Sequence, residues 1–497
     1  MPRIGFVGPS YTDAFADEEA INLFQNSVES QGAVAPGKAY GGAIAVPTKG
    51  LLGTPGTEVF IRFPGSDAPR GSVEINGRAF VVVGSKLYEI FADKTYTDRG
   101  DVAVDTEAVS IAASSIQLLI VSAGAAYCYT LSTDTLLDVT MSLAGTPGRV
   151  RYSDTYFIVN LVGTNKFQMS ALLDGATWPG LQVNAVSVFP ENITSIDVNH
   201  RELWVFGAQH AQPYQDTGSD NIFDVIPGTL VESGCVALNA PDLLDNSIFW
   251  LGQDQRGVCT AWRSNGYTPQ RISTHAVEID LQSYTPDQLS KICTYSMQVI
   301  GHLWWVIYIP GAQWSWVYDV TEGLWFKMAF WISENGPYES HHSWNHVYAF
   351  GKHLVGDWSQ PNLYEMHMPV DNGDGSWSFV DDAGSVIRSL RRTPTVENEM
   401  QWMEHPALTI DMVTGLTPQP PFVDGDGNDR PAECMLRWSD DRGMTWSNVH
   451  HAPCGFAGEY KTRVIFWRLG RSRYRVYEWT MTDRVPRVIR DAYLGNP

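Results

Sequence analysis

A chain of 497 residues with a formal net charge of −21 has room for two or three domains, or for one large repeated-sheet body with an addition. A surface that acidic repels free nucleic acid and anionic membranes at long range, which argues against a protein that grips either. The six cysteines, Cys128, Cys235, Cys259, Cys293, Cys434 and Cys454, lie far apart with no Cys-x-x-Cys pair, so they read as buried thiols folded under reducing conditions. No apolar stretch follows Met1-Pro2-Arg3-Ile4-Gly5, and the most apolar runs, 118–121 and 303–309, are too short to cross a bilayer. The expectation is a chain that is soluble when made.

In chain order, residues 1–57 differ from the rest. Residues 17–26 read as a short helix with Ile21, Leu23 and Phe24 as its apolar side chains. Residues 32–56, dense in Gly, Pro and Ala, read as an extended arm, lying either on the arm's own body or on a neighbouring subunit.

Residues 58–369 repeat one grammar: a short apolar run, a turn with Gly, a returning run. It is clearest at 246–274. There Ile248-Phe249-Trp250-Leu251 is too short for a helix, 253–257 is a polar turn, and Val258, Thr260 and Trp262 alternate with Cys259, Ala261 and Arg263. The unit recurs at 78–90, 116–131, 156–172, 202–214, 302–319 and 346–366, the last with a long loop between 346–350 and 363–366. A spacing of roughly 40–50 residues is the period of propeller blades, so the expected fold is all-β, a β-propeller of about seven blades. A long β-sandwich is the alternative. Residues 194–198 supply a further strand, the long connection 215–244 reads as a functional or mobile loop, and Thr285-Pro286-Asp287 reads as a helix start.

From 370 to 497 the pattern reads as a second, sandwich-like β-domain with strands at 386–390, 407–413, 433–438, 463–468 and 473–480. Its last strand is an alternative closure for the propeller ring. Arg463, Arg468, Arg471, Arg473 and Arg475 make this tail basic within an acidic chain, the last four as a candidate protein interface. On one strand Arg471, Arg473 and Arg475 share a face, giving either a solvated face or an interface for an acidic partner.

Ser439-Asp440-Asp441-Arg442-Gly443-Met444-Thr445-Trp446 resembles the Asp-box of sialidases and many other β-proteins. In that motif Ser439, Asp441, Gly443, Thr445 and Trp446 build a turn: Asp441 accepts backbone N–H bonds, Gly443 takes the permissive dihedral and Trp446 packs behind the hairpin. Asp424-Gly425-Asp426-Gly427-Asn428-Asp429 resembles the start of a calcium loop, but Met435 stands where the bidentate Glu belongs, so a polar turn is expected. His341, His342, His346, His450 and His451 lack a zinc-binding frame and read as exposed loop residues. Leu303-Trp304-Trp305 with Trp314, Trp316 and Trp325 reads as core in preference to a carbohydrate platform. A sialidase-like site would need arginines converging from several blades. Arg62, Arg201, Arg256 and Arg263 are the candidates, and nothing in their spacing demands it. With no nucleophile elbow, phosphate loop or dinucleotide fingerprint, no catalytic residue, metal ligand or cofactor is assigned.

Gly8-Pro9-Ser10-Tyr11, Gly53-Thr54-Pro55-Gly56, Arg70-Gly71, Asn76-Gly77-Arg78 and Gly84-Ser85-Lys86-Leu87-Tyr88-Glu89 resemble the opening of the packaged-DNA-stabilisation, or tail hub, proteins of short-tailed bacteriophages. Ala240-Pro241, Phe249-Trp250-Leu251-Gly252, Arg271-Ile272-Ser273-Thr274 and the closing Trp467-Arg468-Leu469-Gly470-Arg471-Ser472-Arg473 fit the same family in the same order. The resemblance implies a virion protein, made in the host cytoplasm, that forms a homo-oligomeric ring, expected to be a hexamer, below the portal and its adaptor ring. Such a ring is the nozzle of the tail. It holds the packaged genome, lets the genomic DNA pass without sequence-specific binding, and docks spike, fibre or needle proteins, with no membrane insertion. It also implies a propeller core with added β-domains and no catalytic residues.

The expected organisation is thus an arm at 1–57, a propeller at 58–369 and a β-domain at 370–497. The leading function is a structural tail hub. A receptor- or glycan-binding propeller is the alternative, and a sialidase-like glycosidase the third reading.

Overall fold

The computed structural model describes residues 18–27, 49–218, 222–253, 258–332 and 337–495, in two compact units. Gly8 to Tyr11, most of the 32–56 segment, and Asp254 to Gly257 with Arg256 lie outside the described residues.

Val59–Ser315 and Ser340–Met366 form the larger unit. Antiparallel sheets of four consecutive strands span 69–101, 110–138, 147–185, 195–225 and 242–271. Cys293–Val299 pairs with His302–Tyr308 to begin a sixth. In the seventh, Ser343–Ala349, Lys352–Asp357 and Asn362–His367 take Gly56–Arg62 as their fourth strand. The fold is a seven-bladed β-propeller whose last blade is completed by a strand from early in the sequence.

The second strand of each blade carries the packing. Arg78–Val83 is buried after its first residue, and Gln117–Ser122 throughout. Phe80, Val82 and Leu87 of the first blade meet Leu118, Ile120 and Tyr129 of the second, and Ile158, Phe167 and Met169 meet Ile196, Leu203 and Val205. Full burial of each such side chain contributes roughly 1.5–3 kcal/mol. Trp304, Trp305, Trp316 and Trp325 are buried, as expected of core residues.

Six blades join their first and second strands through two-residue loops. The flanking pairs are Ile75↔Arg78, Ser153↔Tyr156, Asn199↔Glu202, Leu244↔Ser247, Val299↔His302 and Ala349↔Lys352. Both loop residues have positive φ in every case, from Asn76-Gly77 (53° and 79°) to Ile300-Gly301 (43° and 89°). This is the type I′ geometry whose twist matches that of the strands. Asn76-Gly77 suits it; Ile300, β-branched and exposed, does not. Ile300→Asn is therefore expected to stabilise the chain by about 1 kcal/mol, read as a higher urea midpoint at unchanged m-value.

The seventh unit corrects the sequence reading. The loop between 346–350 and 363–366 contains the strand Lys352–Asp357, which pairs with both neighbours. His346 therefore sits on the first strand of its blade, not in an exposed loop. His341 is also buried, and His342 mostly so, beside Asp357; of these five histidines, His450 and His451 are exposed. The expected helix start holds, with Thr285 and Gln288 forming a reciprocal capping box on Pro286–Ser290.

The smaller unit comprises the described residues of Met1–Glu58 with Trp316–Glu339 and His367–Pro497. One sheet runs Leu23–Ser27, Lys49–Gly53, Val488–Leu494, Ala407–Met412, Val464–Trp467. The facing one includes Ser389–Arg392, Tyr474–Met481, Glu433–Ser439 and His450–Pro453. Leu23, Leu408, Ile410 and Ile489 pack with Cys434, Leu436, Tyr477 and Trp479 in one core, a β-sandwich arrangement. The last strand read in the sequence, 473–480, is Tyr474–Met481 of this sandwich and does not close the propeller; Val488–Leu494 follows it in the other sheet.

One expectation for residues 1–57 fails. In place of a helix at 17–26 there are two strands, Glu19–Ile21 and Leu23–Ser27, and the described end of the 32–56 segment is strand, Lys49–Gly53 and Gly56–Arg62. Asn22 is the reason. It takes φ 55°, donates Nδ2 to Ala329 O at 2.8 Å and Arg388 O at 3.0 Å, and accepts from Ala329 N at 2.8 Å. A residue so committed cannot continue a helix, and tertiary pairing overrides local propensity. The propeller boundary is likewise interrupted, since Trp316–Glu339 groups with the smaller unit. All six cysteines are buried free thiols.

Candidate functional site

The Asp-box residues connect Glu433–Ser439 to His450–Pro453. Ser439 Oγ donates to Asp441 Oδ1 at 2.6 Å and accepts from Gly443 N at 2.8 Å. Asp441 also accepts from Thr445 N at 2.8 Å and Thr445 Oγ1 at 2.6 Å. Arg442 and Gly443 take positive φ, 57° and 90°. Hydrogen bonds from Ser439 and then Thr445 pull the Asp441 carboxyl down to about 2. A carboxylate depressed below its unfolded value contributes stability that is present above about pH 4 and lost as pH falls through about 2. Carbon-detected NMR of the Asp441 carboxyl is expected to show it ionised until that pH, and Ser439→Ala to move the midpoint up.

The turn places Trp446 over two guanidiniums, Arg437 at 4.6 Å and Arg392 at 5.1 Å from the ring centroid. Glu478 stands between them. Its strand neighbours are Arg392 on one side and Arg437 on the other. Arg392 Nη2 donates to Glu478 Oε2 at 2.7 Å, and Arg437 Nε to Oε1 at 2.6 Å. Glu478 is 1% exposed. Arg392 Nη1 further reaches Glu19 at 3.2 Å. The motif's tryptophan thus roofs a charge network that spans three strands, in place of simply packing behind its own hairpin. No sequence pattern signals Glu478, because the residues it joins are far apart in the chain.

The basic stretch divides. Arg475 is 2% exposed, held by Asp440 at 2.6 Å and 2.8 Å, donating to Leu469 O and lying over Trp438. It is a structural group and not part of an exposed interface. The shared face fails because Arg473 interrupts the strand between Arg471–Ser472 and Tyr474–Met481, so period-two alternation is lost. Arg468, at φ 60°, Arg471 and Arg473 are exposed. Arg471 and Arg473 lie over the Trp402 ring at 5.0 Å and 5.2 Å.

In the propeller, the first strands of the blades surround an axial cavity of about 320 Å³ bounded by Arg70, Arg149, Arg151, Asp242, Ser296 and His346 among others. The arginines that meet here are not the four singled out in sequence. Arg149 and Arg151 converge on Asp197, at 2.9 Å each. Arg201 pairs with Asp154 of another blade's turn and Arg263, on a strand, with Asp245, while Arg62 is exposed. Burial, and then the nearby Asp197 charge, push the Asp242 carboxyl up to about 7.

Two Ser–His pairs have the residue types of a nucleophile and base but not the access. His405 bonds Tyr477 Oη at 2.7 Å and Ser472 Oγ at 2.8 Å, and all three are buried. Burial, with Arg475 adding to it, pushes the His405 imidazole down to about 4. His341 and Tyr295 both bond Ser343 Oγ at 2.6 Å, again within the core. Asp424, from the calcium-like stretch, accepts the N–H groups of Asp426 and Asn428 and closes a polar hairpin turn.

Two family descriptions match in succession. Residues 47–370 match "Bacteriophage P22 Gp10, beta-propeller" and residues 388–494 match "Bacteriophage P22 Gp10, beta-sandwich". The chain belongs to the bacteriophage P22 Gp10 family. As a member of that family it is a phage stabilisation protein, a structural component of the virion tail, and the two-domain order of the family is the order of the two folds described above. No curated protein matches the chain. Similar solved structures include the N-terminal domain of Nup159, at 12% identity over 63% of this chain and 95% of that one with a TM-score of 0.42. PorZ of Porphyromonas gingivalis aligns at 11% identity over 72% and 45% with a TM-score of 0.37. The designed Ika8 protein aligns at 11% over 62% and 99% with a TM-score of 0.35.

Proposed function

We propose that the chain is a non-enzymatic tail hub or nozzle: copies form a ring, expected to be a hexamer, below the portal and adaptor. The ring retains packaged DNA, provides its exit channel and docks spike, fibre or needle proteins. The family match across both domains carries this reading. The enclosure of the Ser–His pairs supports its non-enzymatic part. The charge of −21 supports passage of DNA without gripping. A channel lined by Asp and Glu repels phosphates, whereas Lys and Arg would gain affinity through counterion release and slow ejection.

Negative-stain imaging and mass photometry of the purified full chain test the reading, with closed rings around an open axis as the expected result. A chain that stays monomeric both alone and with portal–adaptor complexes would overturn it, and a channel lined mainly by Lys and Arg would overturn its electrostatic part.

A further inference from the structure

Charged groups sort unevenly along the strands of the smaller unit: exposed arginines and glutamates share one end, and exposed aspartates dominate the other. Tyr474–Met481 has eight residues, a length of about 26 Å. At its start lie the exposed Arg468, Arg471 and Arg473, together with Trp402 and Trp467, which are 58% and 55% exposed. Cross-strand pairs hold this end together: Met403↔Ser472 and Glu404↔Arg471 on one side, Ala407↔Trp467 on the other. None of the three arginines has an ion pair among the described residues, although Glu397, Glu399 and Glu404 are exposed nearby. Two of the guanidiniums lie over Trp402, at 5.0 Å and 5.2 Å from its centroid, and a cation–π contact of this kind favours one arrangement of each side chain and lowers the entropic cost of binding. Arginine and tryptophan exposed together are the residue types of interface hot spots.

The far end of the same strand is acidic. Phe422–Val423 and Asp429–Arg430 form a hairpin anchored by Arg430 to Asp483, at 2.7 Å, just past the end of the long strand. Its tip exposes Asp424, Asp426 and Asp429. The turn carrying Asp371 and Asp374 is tied beside it through Gln419 N to Gly375 O at 2.8 Å and Trp377 Nε1 to Leu416 O at 3.1 Å. None of these five carboxylates has an ion pair among the described residues.

From this arrangement we infer that the sandwich binds a second copy of itself head to tail, the arginine–tryptophan end of one copy receiving the aspartate end of the next. The inference rests on the ring proposed above and adds the surface that joins its members. A basic end and an acidic end on one unit make a heterologous contact, the kind that closes into rings when its rotation permits. Guanidinium forks suit bidentate capture of carboxylates. Nucleic acid is the weaker occupant: the chain's overall charge opposes it, and Glu397, Glu399 and Glu404 interrupt the basic surface where a phosphate backbone would need it continuous.

The test uses full-length chains and sedimentation velocity at moderate salt. Arg471→Glu with Arg473→Glu is expected to weaken self-association at least tenfold, as is Asp424→Lys with Asp426→Lys. Mixing the two charge-reversed chains is expected to restore association, with the two chains alternating. Wild-type rings unaffected by either reversal would overturn the inference and leave the ring standing; a wild-type chain that never associates would overturn both. Loss of binding to a labelled DNA duplex in the arginine variant, with self-association intact, would assign the basic end to nucleic acid and overturn the inference. Near-ultraviolet circular dichroism of each variant separates misfolding from lost contact.

Discussion

Glu478→Ala is expected to destabilise the smaller unit by about 1.5–3 kcal/mol, the cost of leaving two half-buried guanidiniums without their shared carboxylate. Glu478 is 1% exposed and bonded by both Arg392 and Arg437. Removing it leaves two positive charges under Trp446, with Glu19 at 3.2 Å from Arg392. The measurement is urea unfolding of the full chain followed by tryptophan fluorescence, in which the transition belonging to the sandwich moves and that of the propeller does not. Replacing the whole triad, Arg392→Met, Glu478→Leu and Arg437→Met together, is expected to cost far less than the single change, since no uncompensated charge remains. A Glu478→Ala loss under 1 kcal/mol would mean that water reaches the arginines and that Trp446 does not seal the network.

The blades are legible through their second strands. Runs such as Ile248-Phe249-Trp250-Leu251 are buried on both faces and need no pattern longer than themselves. The seventh blade was misassigned because its second strand, Lys352-His353-Leu354-Val355-Gly356-Asp357, has only two large apolar residues. Its Asp357 is buried by hydrogen bonds, among them one from Tyr364 at 2.9 Å. Type I′ turns at His200-Arg201 and Phe350-Gly351 lack the Asn-Gly or Asp-Gly signature, so the sheet imposes the turn there instead of the reverse.

What stayed hidden depends on pairing between distant segments. Nothing local to residues 19–21 reveals that Glu19–Ile21 pairs with Ser389–Arg392. Nothing local to Arg475 reveals that Asp440 waits for it. The Asp-box was legible as a turn because its donors and acceptors lie within eight residues. Its load, the Arg392–Glu478–Arg437 network, was not, because it is assembled from three strands. Arg471 and Arg473 were legible as a basic pair, but their common partner Trp402 comes from another strand segment.

Asp242 gives the propeller an expected pH dependence of its own. Its Oδ2 is buried with no partner among the described residues, and its carboxyl is raised to about 7, by burial first and by Asp197 second, with Arg151 acting in the opposite direction. A carboxyl raised in the folded state binds its proton more tightly there than in the unfolded chain. The stability this contributes is fully present below about pH 4 and is lost as pH rises through about 7, with a slope of about −1.4 kcal/mol per unit between. Relative to Asp242→Asn, the wild-type propeller is therefore expected to lose about 2–4 kcal/mol between pH 4 and pH 8. The comparison isolates Asp242 from every other titrating group, because those remain in both chains. Urea midpoints of the propeller transition across that range are the measurement, and a difference between the two chains that does not change with pH would show that Asp242 is ionised throughout. At pH 8 the asparagine variant is expected to be the more stable chain, since an amide fills the same space beside Ser296 without a buried charge. Only a direct ion pair with Arg151, reached by a side-chain rotation, would reverse that order.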